Sequence, residues 1–528
     1  MTDLKLNQLF QALIQVYQKD SLEIKTPEHQ ALKVSRTVSF FAFWYERMRN
    51  SIEYREDHLI RRAAIERIFK RRILLNPEGA RIAEPLIREL LWARYLPNQM
   101  LSENKIPMVQ SAIDKYIALA KEMLSGRSAK EQNLINQFVM DLLTCEIEEI
   151  LAPDERREAF VNFVYQSLLS QIDLPDERLN KDKSILLYSA VDFGFAKSDK
   201  ALMRYHLAKI LLPELTSKTG SAEKALPHFM NVVNHIEATI NNKAVEKLRL
   251  FVKRNSAPFL ILRDLLEANP KNFKTISATY DELKVRVDQM CRKRYKDTRE
   301  KLTRAGIRSI IYIFLTKMVF AFLLEFPVDR LLRQDIEYLP LTINIIFPPF
   351  LMFLIVAITG IPGADNTTRI FERINYLVRS DISLEKTVIK IKQVDRRPLL
   401  TFVFSIIYLL TFIISFGAIS IILTMLHFNI VSQLIFIFFV SMVLFFAYRI
   451  RQTSKEYLLV EKEGIFSPIK DFFTLPILSL GKWLSGEIAR LNIFIFIFDF
   501  IVEAPFKAIF EIGEEWINFV KTKKDEFA

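Results

Sequence analysis

The chain has 528 residues, of which 73 are Lys or Arg and 61 are Asp or Glu, so its formal net charge is +12. Half of the residues are hydrophobic and 43 are Phe, which excludes a single small soluble domain because one globular core needs fewer apolar side chains. Only 12 residues are Gly, about a third of the usual share, and this scarcity of turn formers disfavours a β-sheet protein.

The N-terminal sequence and the cysteines indicate a cytosolic location for the first part of the chain. Residues 1–19 lack a basic region followed by an apolar core, so we expect no secretory signal there. Cys145 and Cys291 match no metal or redox spacing, and we interpret both as packing residues in a reducing compartment. We therefore expect residues 1–305 to form a cytosolic domain.

Helical patterns fill this predicted domain. Proline beside an acidic residue marks expected helix starts at 26–28, 76–78, 153–155 and 175–177. Apolar residues recur at spacings of three and four over 107–124, 129–151, 183–196, 199–215, 222–240, 242–254 and 257–268. The pattern predicts an all-α fold, either a helical bundle or an irregular α-solenoid. If the domain divides in two, we expect the break near 76–106.

The segment 33–75 opens with clustered aromatic residues and closes with many Arg and Lys residues. These cations could dock on anionic lipid or nucleic acid, or they could form a solvated face paired with nearby acids. The nearby acids are Glu53, Glu56, Asp57 and Glu66. We favour the charged face, because no nucleic-acid-binding signature accompanies the segment and its aromatics do not alternate with basic residues. Nucleic acid is therefore not an expected partner.

At about residue 306 the chain changes from polar to strongly apolar, and a dense run of positive charge precedes the change. Cations beside a span attract anionic lipid by roughly 1 kcal/mol each. The candidate anionic-lipid contacts are Arg292, Lys293, Arg294, Lys296, Arg299, Lys301, Arg304 and Arg308. This polybasic juxtamembrane segment predicts a lipid bilayer containing anionic lipid as a partner.

Four apolar stretches predict a polytopic α-helical membrane domain over 306–450, since a span needs roughly 20 residues. They are 307–326, 339–361, 399–428 and 430–448, and the last two are joined so closely that they must form an antiparallel hairpin. Positive charge is abundant in the connection 363–398 and follows the fourth span. Because such charge stays in the cytosol, we expect both termini in the cytoplasm and the protein in a plasma or inner membrane. The glycosylation pattern at Asn366 is discarded for the same reason.

Residues 451–528 predict an amphipathic region that lies in the membrane interface. The stretch 488–510 has one strongly apolar face and one face carrying carboxylates, and a fifth span through it is the alternative. The residues assigned to this interfacial helix are Trp483, Asp499, Glu503, Lys507 and Trp516.

Polar residues inside the predicted spans are the best candidates for a functional site. These residues are Lys317, Glu325, Asn344, Pro348 and Pro349. Proline frees backbone carbonyls that could bind an ion or a polar substrate if they line a cavity. In the structural alternative, Lys317 extends to the interface, Glu325 lies at the interface and the prolines only kink the helix.

No hydrolase, P-loop or metalloprotease motif occurs, so we expect neither an enzyme nor a cofactor or metal site. The leading hypothesis is a non-enzymatic scaffold whose helical domain binds a protein partner at an anionic membrane surface. The alternative is a transporter or channel component with a polar path around Lys317, Asn344 and the two prolines. Four spans per chain would then favour a homo-oligomer. A membrane enzyme acting on lipid is a third possibility, but Glu146, Glu148 and Glu149 are too ordinary to nominate.

Overall fold

The computed structural model describes residues 7–19, 32, 46, 56–97, 101–174, 176–216, 223, 226–325, 327, 338–379, 387–388, 398–459, 467–490 and 516. The predicted all-α fold class is confirmed. Within the described residues, the only sheet is a parallel pairing of two residues each, between β1 (Ile172–Asp173) and β2 (Thr387–Val388).

The helices before the membrane region are short to medium in length. They are α1 (Gln8–Lys19), α2 (Asp57–Leu75), α3 (Ala83–Trp92), α4 (Lys105–Leu124), α5 (Ala129–Leu151), α6 (Glu155–Leu169), α7 (Glu177–Lys181), α8 (Lys183–Gly194), α9 (Lys200–Leu211), α10 (Pro213–Thr216), α11 (Phe229–Ile240), α12 (Lys243–Arg254), α13 (Ser256–Ala268) and α14 (Phe273–Ala278).

The remaining helices are longer. They are α15 (Tyr280–Phe320) with a π-helix (Ala321–Glu325) at its end, α16 (Tyr338–Ile358), α17 (Ala364–Val378), α18 (Pro398–Met425), α19 (Ile430–Ser454) and α20 (Ser467–Arg490).

Local capping explains several helix starts. Ser128 and Glu131 form a reciprocal capping box at the start of α5, and Asp154 accepts from the Arg157 N–H at the start of α6. The helix start predicted at 76–78 is wrong, because α2 ends at Leu75 and α3 begins only at Ala83. Proline disfavours the helical conformation in the residue before it, so the Asn76-Pro77 pair terminates a helix here.

The helices before the membrane region pack around two buried cores. The first core joins α2, α3, α4, α5, α9 and α11, and the second joins α1, α6, α8, α12, α13, α14 and the beginning of α15. We call these helices together the platform. Residues before, within and after 76–106, such as Ile65, Leu86 and Ile113, share the first core. The subdomain break near 76–106 stays a prediction.

The connection between the second and third apolar helices packs onto the platform. Ile370, Phe371 and Ile374 of α17 are buried in the second core. The N–H of Asn7 donates to the carbonyl of Val378 at 2.9 Å, and β2 pairs with β1. The chain therefore comes back to the platform after α16.

The segment after α19 also contacts the platform and α17. The amide of Asn366 donates to the Tyr457 carbonyl at 2.7 Å and accepts from the Leu459 N–H at 2.9 Å. Glu456 forms a 3.0 Å ion pair with Lys197 of the platform. The chain thus comes back a second time, and Asn366 is a buried structural residue that joins two of the returning segments.

Four described helices are long and apolar enough to cross a membrane, as the sequence predicts. The candidate spans are Tyr280–Glu325, Tyr338–Ile358, Phe402–Met425 and Ile430–Gln452. The first two pack against each other as one hairpin, and the short connection 426–429 joins the last two as another. His427 adopts a positive φ of 63° at the tight connection between α18 and α19, and Asn429 caps α19 by accepting from the Ser432 N–H at 2.7 Å.

Helix α20 packs along both helices of the second hairpin. The hydroxyls of Tyr408 in α18 and Ser479 in α20 lie 2.9 Å apart. A Cβ atom at Gly481 would lie 2.2 Å from the Ser441 carbonyl oxygen in the middle of α19. Residues 467–490 therefore contact the membrane helices directly, and this packing requires a residue without a side chain at position 481.

We predict that Gly481→Ala destabilises the protein although alanine favours helix formation by roughly 0.5–1 kcal/mol. The added Cβ forces α19 and α20 apart, and such overpacking costs about 1–3 kcal/mol. The matched control is Gly486→Ala in the same helix, whose Cβ would meet nothing within 4 Å. Thermal unfolding of the purified protein should give a lower midpoint for the first variant and an equal or higher midpoint for the second. Equal midpoints for both variants would contradict the packing.

Candidate functional site

A buried ion pair lies among the apolar helices. The ammonium of Lys317 near the end of α15 bonds to the carboxylate of Glu325, and the two side chains are 0% and 1% exposed. The ammonium also lies 4.7 Å from the centre of the Phe439 ring in α19, a cation–π contact that is strengthened when water is excluded. Two of the predicted intramembrane residues are therefore brought together.

The π-helix explains how residues eight apart meet. In a regular α-helix, two residues eight positions apart are separated by two full turns plus nearly the rotation of one further residue. Their side chains therefore do not point in the same direction. Residues 321–325 form wider turns, so each of them rotates less around the axis and Glu325 comes back toward the face of Lys317. The sequence pattern placed both residues on about the same face, and the structure confirms this.

Asn344 of α16 connects this pair to two more helices. Its amide donates to the second carboxylate oxygen of Glu325 at 2.8 Å and to the Ser432 carbonyl of α19 at 3.3 Å. The Asn344 side-chain oxygen is buried and has no hydrogen-bond partner. Pro348 and Pro349 lie inside α16, so the carbonyls four residues before them receive no helical N–H. One unpartnered oxygen acceptor, that of Asn344, thus lies beside Glu325, and two backbone carbonyls of α16 lack their helical N–H donors.

The Lys317 ammonium is not exposed but paired with Glu325, and the alternative that places Glu325 at the interface stays a prediction. The Lys317 ammonium turns inward because Glu325 is buried and supplies a countercharge. A paired cation and carboxylate carry no net charge, which lowers the cost of burying them in hydrocarbon. Chemically, the cluster can fix the relative positions of α15, α16 and α19, and it offers oxygen acceptors to a cation or a hydrogen-bond donor.

The cations of the juxtamembrane segment are mostly exposed on α15. Arg294 differs, because its guanidinium donates two hydrogen bonds of 2.6 Å to Asp264 and therefore binds the platform. Arg292 pairs with Asp288 on the same helix at 2.8 Å, although both side chains remain exposed. The other candidate lipid contacts are exposed: Lys293, Lys296, Arg299, Lys301, Arg304 and Arg308. Their predicted contact with lipid stays a prediction.

The predicted interfacial helix is largely beyond the described residues. Asp499, Glu503 and Lys507 lie outside them, whereas Trp483 and Trp516 are described and exposed. Trp483 belongs to α20, which packs against the middle of α19, while the interfacial assignment of the other four residues stays a prediction.

A cleft that sequence reasoning missed lies between the two cores of the platform. It comprises two neighbouring cavities of about 480 and 500 Å³, and both are lined by His58, Arg61, Asp154 and Arg157. Its walls come from α1, α2, α5, α6, α8, α9 and α13, which are distant in sequence. No local motif could have revealed this cleft.

Ion pairs occupy much of the cleft wall. Asp192 accepts from the Ser198 hydroxyl at 2.6 Å and lies 3.0 Å from Nδ1 of His206. The serine and the histidine both contact the aspartate, so this group lacks the serine–histidine contact that nucleophilic catalysis needs. Although burial alone would raise it, the pKa of Asp192 is lowered by His206 and Ser198.

The three glutamates considered as enzyme residues all serve in ion pairs. Glu146 binds Lys115 at 2.7 Å, Glu148 binds Arg61 at 2.6 Å, and Glu149 binds Lys209 at 2.8 Å. Burial raises the pKa of Glu148, while hydrogen bonds from Lys209 and Tyr205 lower that of Glu149 despite its burial. These contacts hold α5 to neighbouring helices.

The basic helix α2 is also internally paired, but not mainly to the acids expected from the sequence. Arg61 binds Glu148, Arg62 binds Asp199 as well as Glu66, and Arg71 binds Glu89. Most of these partners come from other helices. Arg62 and Lys70 do pair with Glu66, as expected, and Lys70 is exposed, so α2 combines part of the expected charged face with pairs to other helices. The expectation that nucleic acid is not a partner stays a prediction.

Both cysteines lie in cores, as predicted, Cys145 in the first and Cys291 in the second. Burial raises the pKa of Cys291 to about 12, so its thiol is not activated. In the described part of the chain, no group of three His, Cys, Asp or Glu residues could hold a metal ion.

Comparison of the chain with protein-family models, curated proteins and solved structures finds no match.

We predict strong coupling between the two buried charges. Lys317→Met and Glu325→Gln should each lower the free energy of unfolding by about 3–5 kcal/mol, because each leaves an unpaired buried charge. The double variant buries no charge, so it should be more stable than either single variant. The exposed control Lys301→Met should change the free energy by less than about 0.5 kcal/mol. Unfolding in detergent measures all four, and a double variant that loses the sum of the single losses would refute the pairing.

We also predict that His58 makes the platform sensitive to acid. Burial and the neighbouring Arg157 and Arg61 lower its pKa to about 4. The unfolded chain, with an ordinary histidine pKa of about 6.5, therefore binds more protons between these values, so stability falls as the pH drops from 6.5 to 4. Because the ring is partly exposed, we expect a loss of only about 1–2 kcal/mol.

His58→Gln should remove this part of the acid sensitivity, whereas the control His235→Gln, at an exposed histidine, should leave it unchanged. Thermal unfolding midpoints at pH 7 and pH 5 measure the difference. The same acid shift in the His58 variant and the parent protein would rule out the assignment.

Proposed function

We propose that this chain is an integral membrane protein whose platform is held in one orientation at the cytosolic face of an anionic cell membrane, where it binds a protein partner. The main observation in support of this proposal is that α15 runs without a break from the second core into the first span, over 41 residues. Leu283 and Val287 near its start are buried in the platform, and Ile313 near its end is buried among the membrane helices. A continuous helix of about 60 Å transmits a fixed orientation.

Charge distribution supports the cytosolic side. The cations of α15 precede the first span, those of 363–398 lie between the second and third, and Arg449, Arg451 and Lys455 follow the fourth. These are the same three parts of the chain that contact the platform. Since positive charge is retained in the cytosol, the agreement between charge and packing supports a cytosolic platform. Cytoplasmic termini and a plasma or inner membrane are further parts of the proposal.

The non-enzymatic part of the proposal is supported by the cleft, where carboxylates such as those of Glu148 and Glu149 are in ion pairs. Partner contact is supported by Phe193 and Leu250, which are exposed apolar residues on the packed helices α8 and α12.

Photo-reactive residues at positions 193 and 250 should give one discrete cross-linked species with another protein in cells. Self cross-links alone would support a homo-oligomer, and no cross-links would count against the partner.

The lipid part is tested on the full-length protein, because α17 contributes to the second core and a fragment 1–305 would lack it. In nanodiscs, amide exchange over 292–308 should be slower with anionic than with zwitterionic lipid. Reversing charge at Lys293, Lys296, Arg299 and Lys301 should abolish the difference. Reversal at the exposed platform residues Lys121 and Lys130 should leave it intact, and a difference that survives the first set of changes would overturn lipid docking.

A transporter or channel component is the second candidate, favoured by the unpartnered oxygen of Asn344 beside Glu325 and the two prolines. Solute or ion flux in proteoliposomes should then depend on Lys317. Absence of flux, or flux unchanged by Lys317→Leu, would eliminate this candidate. Retained stability together with lost flux in the Lys317→Met/Glu325→Gln double variant would favour it over the platform.

A further inference from the structure

A groove lies where α15 passes from its charged part into its apolar part. Its volume is about 870 Å³, and its walls are α15, the last turns of α16 and the segment 359–362 that follows. The groove therefore lies at the boundary between the platform and the candidate spans, at the depth where lipid headgroups meet acyl chains.

One face of α15 supplies both ends of this groove. Lys296, Arg299, Thr303, Ile307 and Ile310 line it, and their spacings of three and four place them in one row along the helix. The row begins with two cations and ends with two aliphatic residues. Polarity thus changes along the groove in the same direction as across a lipid leaflet.

Helix α16 supplies an apolar opposite wall. Phe353, Ala357 and Ile358 line the groove and are exposed. Beside them the two helices meet closely, since a Cβ atom at Gly306 would lie 2.8 Å from a Val356 methyl carbon. This contact fixes the distance between the groove walls.

The cations at the polar end are available to a ligand. Lys296 and Arg299 are exposed and form no ion pair within the described residues, unlike Arg292 and Arg294. An adjoining cavity of about 450 Å³ is lined by both of them together with Arg304 and one carboxylate, Glu300. The polar end therefore keeps an excess of positive charge.

We propose that this groove binds one anionic phospholipid. Its phosphate lies between Lys296 and Arg299, where the guanidinium can donate two hydrogen bonds, and one acyl chain lies against Ile307, Ile310 and Phe353. Charge at one end and apolar walls at the other complement this amphiphile. The inference rests on the proposed function, because it requires the platform side of α15 to face anionic lipid, but it adds a discrete site to the general attraction.

The test uses native mass spectrometry of the full-length protein taken from nanodiscs of equal phosphatidylglycerol and phosphatidylcholine. The parent protein should retain one phosphatidylglycerol in preference to phosphatidylcholine. Lys296→Gln/Arg299→Gln should lower that retention by roughly 30-fold, since each of the two cations contributes roughly 1 kcal/mol. The matched control Lys293→Gln/Lys301→Gln removes the same charge from the same helix outside the groove, and it should change retention less than about twofold.

The apolar end is tested by filling it. Ala357→Trp should lower retention of the lipid without removing charge, and Thr303→Phe provides a second filling variant if the first fails to fold. Unchanged retention in a folded filling variant would overturn the acyl-chain part of the site. An equal loss of lipid retention in the groove double variant and in the control double variant would contradict the groove site but not a general attraction of lipid. Unchanged retention in both double variants would contradict the groove site and lipid docking.

Discussion

The structure depends on one continuous helix, α15, whose first part lies in water and whose last part lies in hydrocarbon. The first part of α15 buries Leu283 and Val287 in the platform, and its last part lies among membrane helices. A helix satisfies its own backbone hydrogen bonds, so it can pass from water into hydrocarbon without a break. Because α17 and the segment 454–459 also contact the platform, both membrane hairpins start and finish at the same body.

The intramembrane cluster solves a second constraint, which is the cost of polar groups in hydrocarbon. Helix association there gains little from the hydrophobic effect, so hydrogen bonds and close packing determine which helices meet. Lys317, Glu325 and Asn344 supply the hydrogen bonds, whereas Gly306 and Gly481 allow close contacts. The same cluster leaves an acceptor on Asn344 without a partner, which is why a transport role follows as the second candidate.

Sequence reasoning predicted the features that depend on local periodicity. The stripe 129–151 corresponds to α5, and the four apolar stretches correspond to the four candidate spans. It also selected Lys317, Glu325 and Asn344, because polar residues inside apolar helices are conspicuous. It did not predict that Glu325 is buried, since that depends on a π-helix whose formation has no simple sequence signal.

Features that depend on contacts between distant segments were missed. The cleft combines seven helices, so its residues share no motif. The cations of α2 find partners such as Glu148 and Asp199, which no spacing rule connects to them. Helix α17 was considered only as a source of positive charge, although Ile370, Phe371 and Ile374 have the spacing of a buried helix face and could have indicated it.

The central claim is that the platform, α17 and the end of α19 lie on one side of the membrane. Single cysteines at Lys200, Tyr338, Thr368, Met425 and Arg451, on a background lacking Cys145 and Cys291, test it in sealed cells with an impermeant thiol reagent. Labelling from outside should occur only at 338 and 425, and the other positions should react after permeabilisation. Outside labelling at 368 or 451 would contradict the account, because those segments could not then contact the platform.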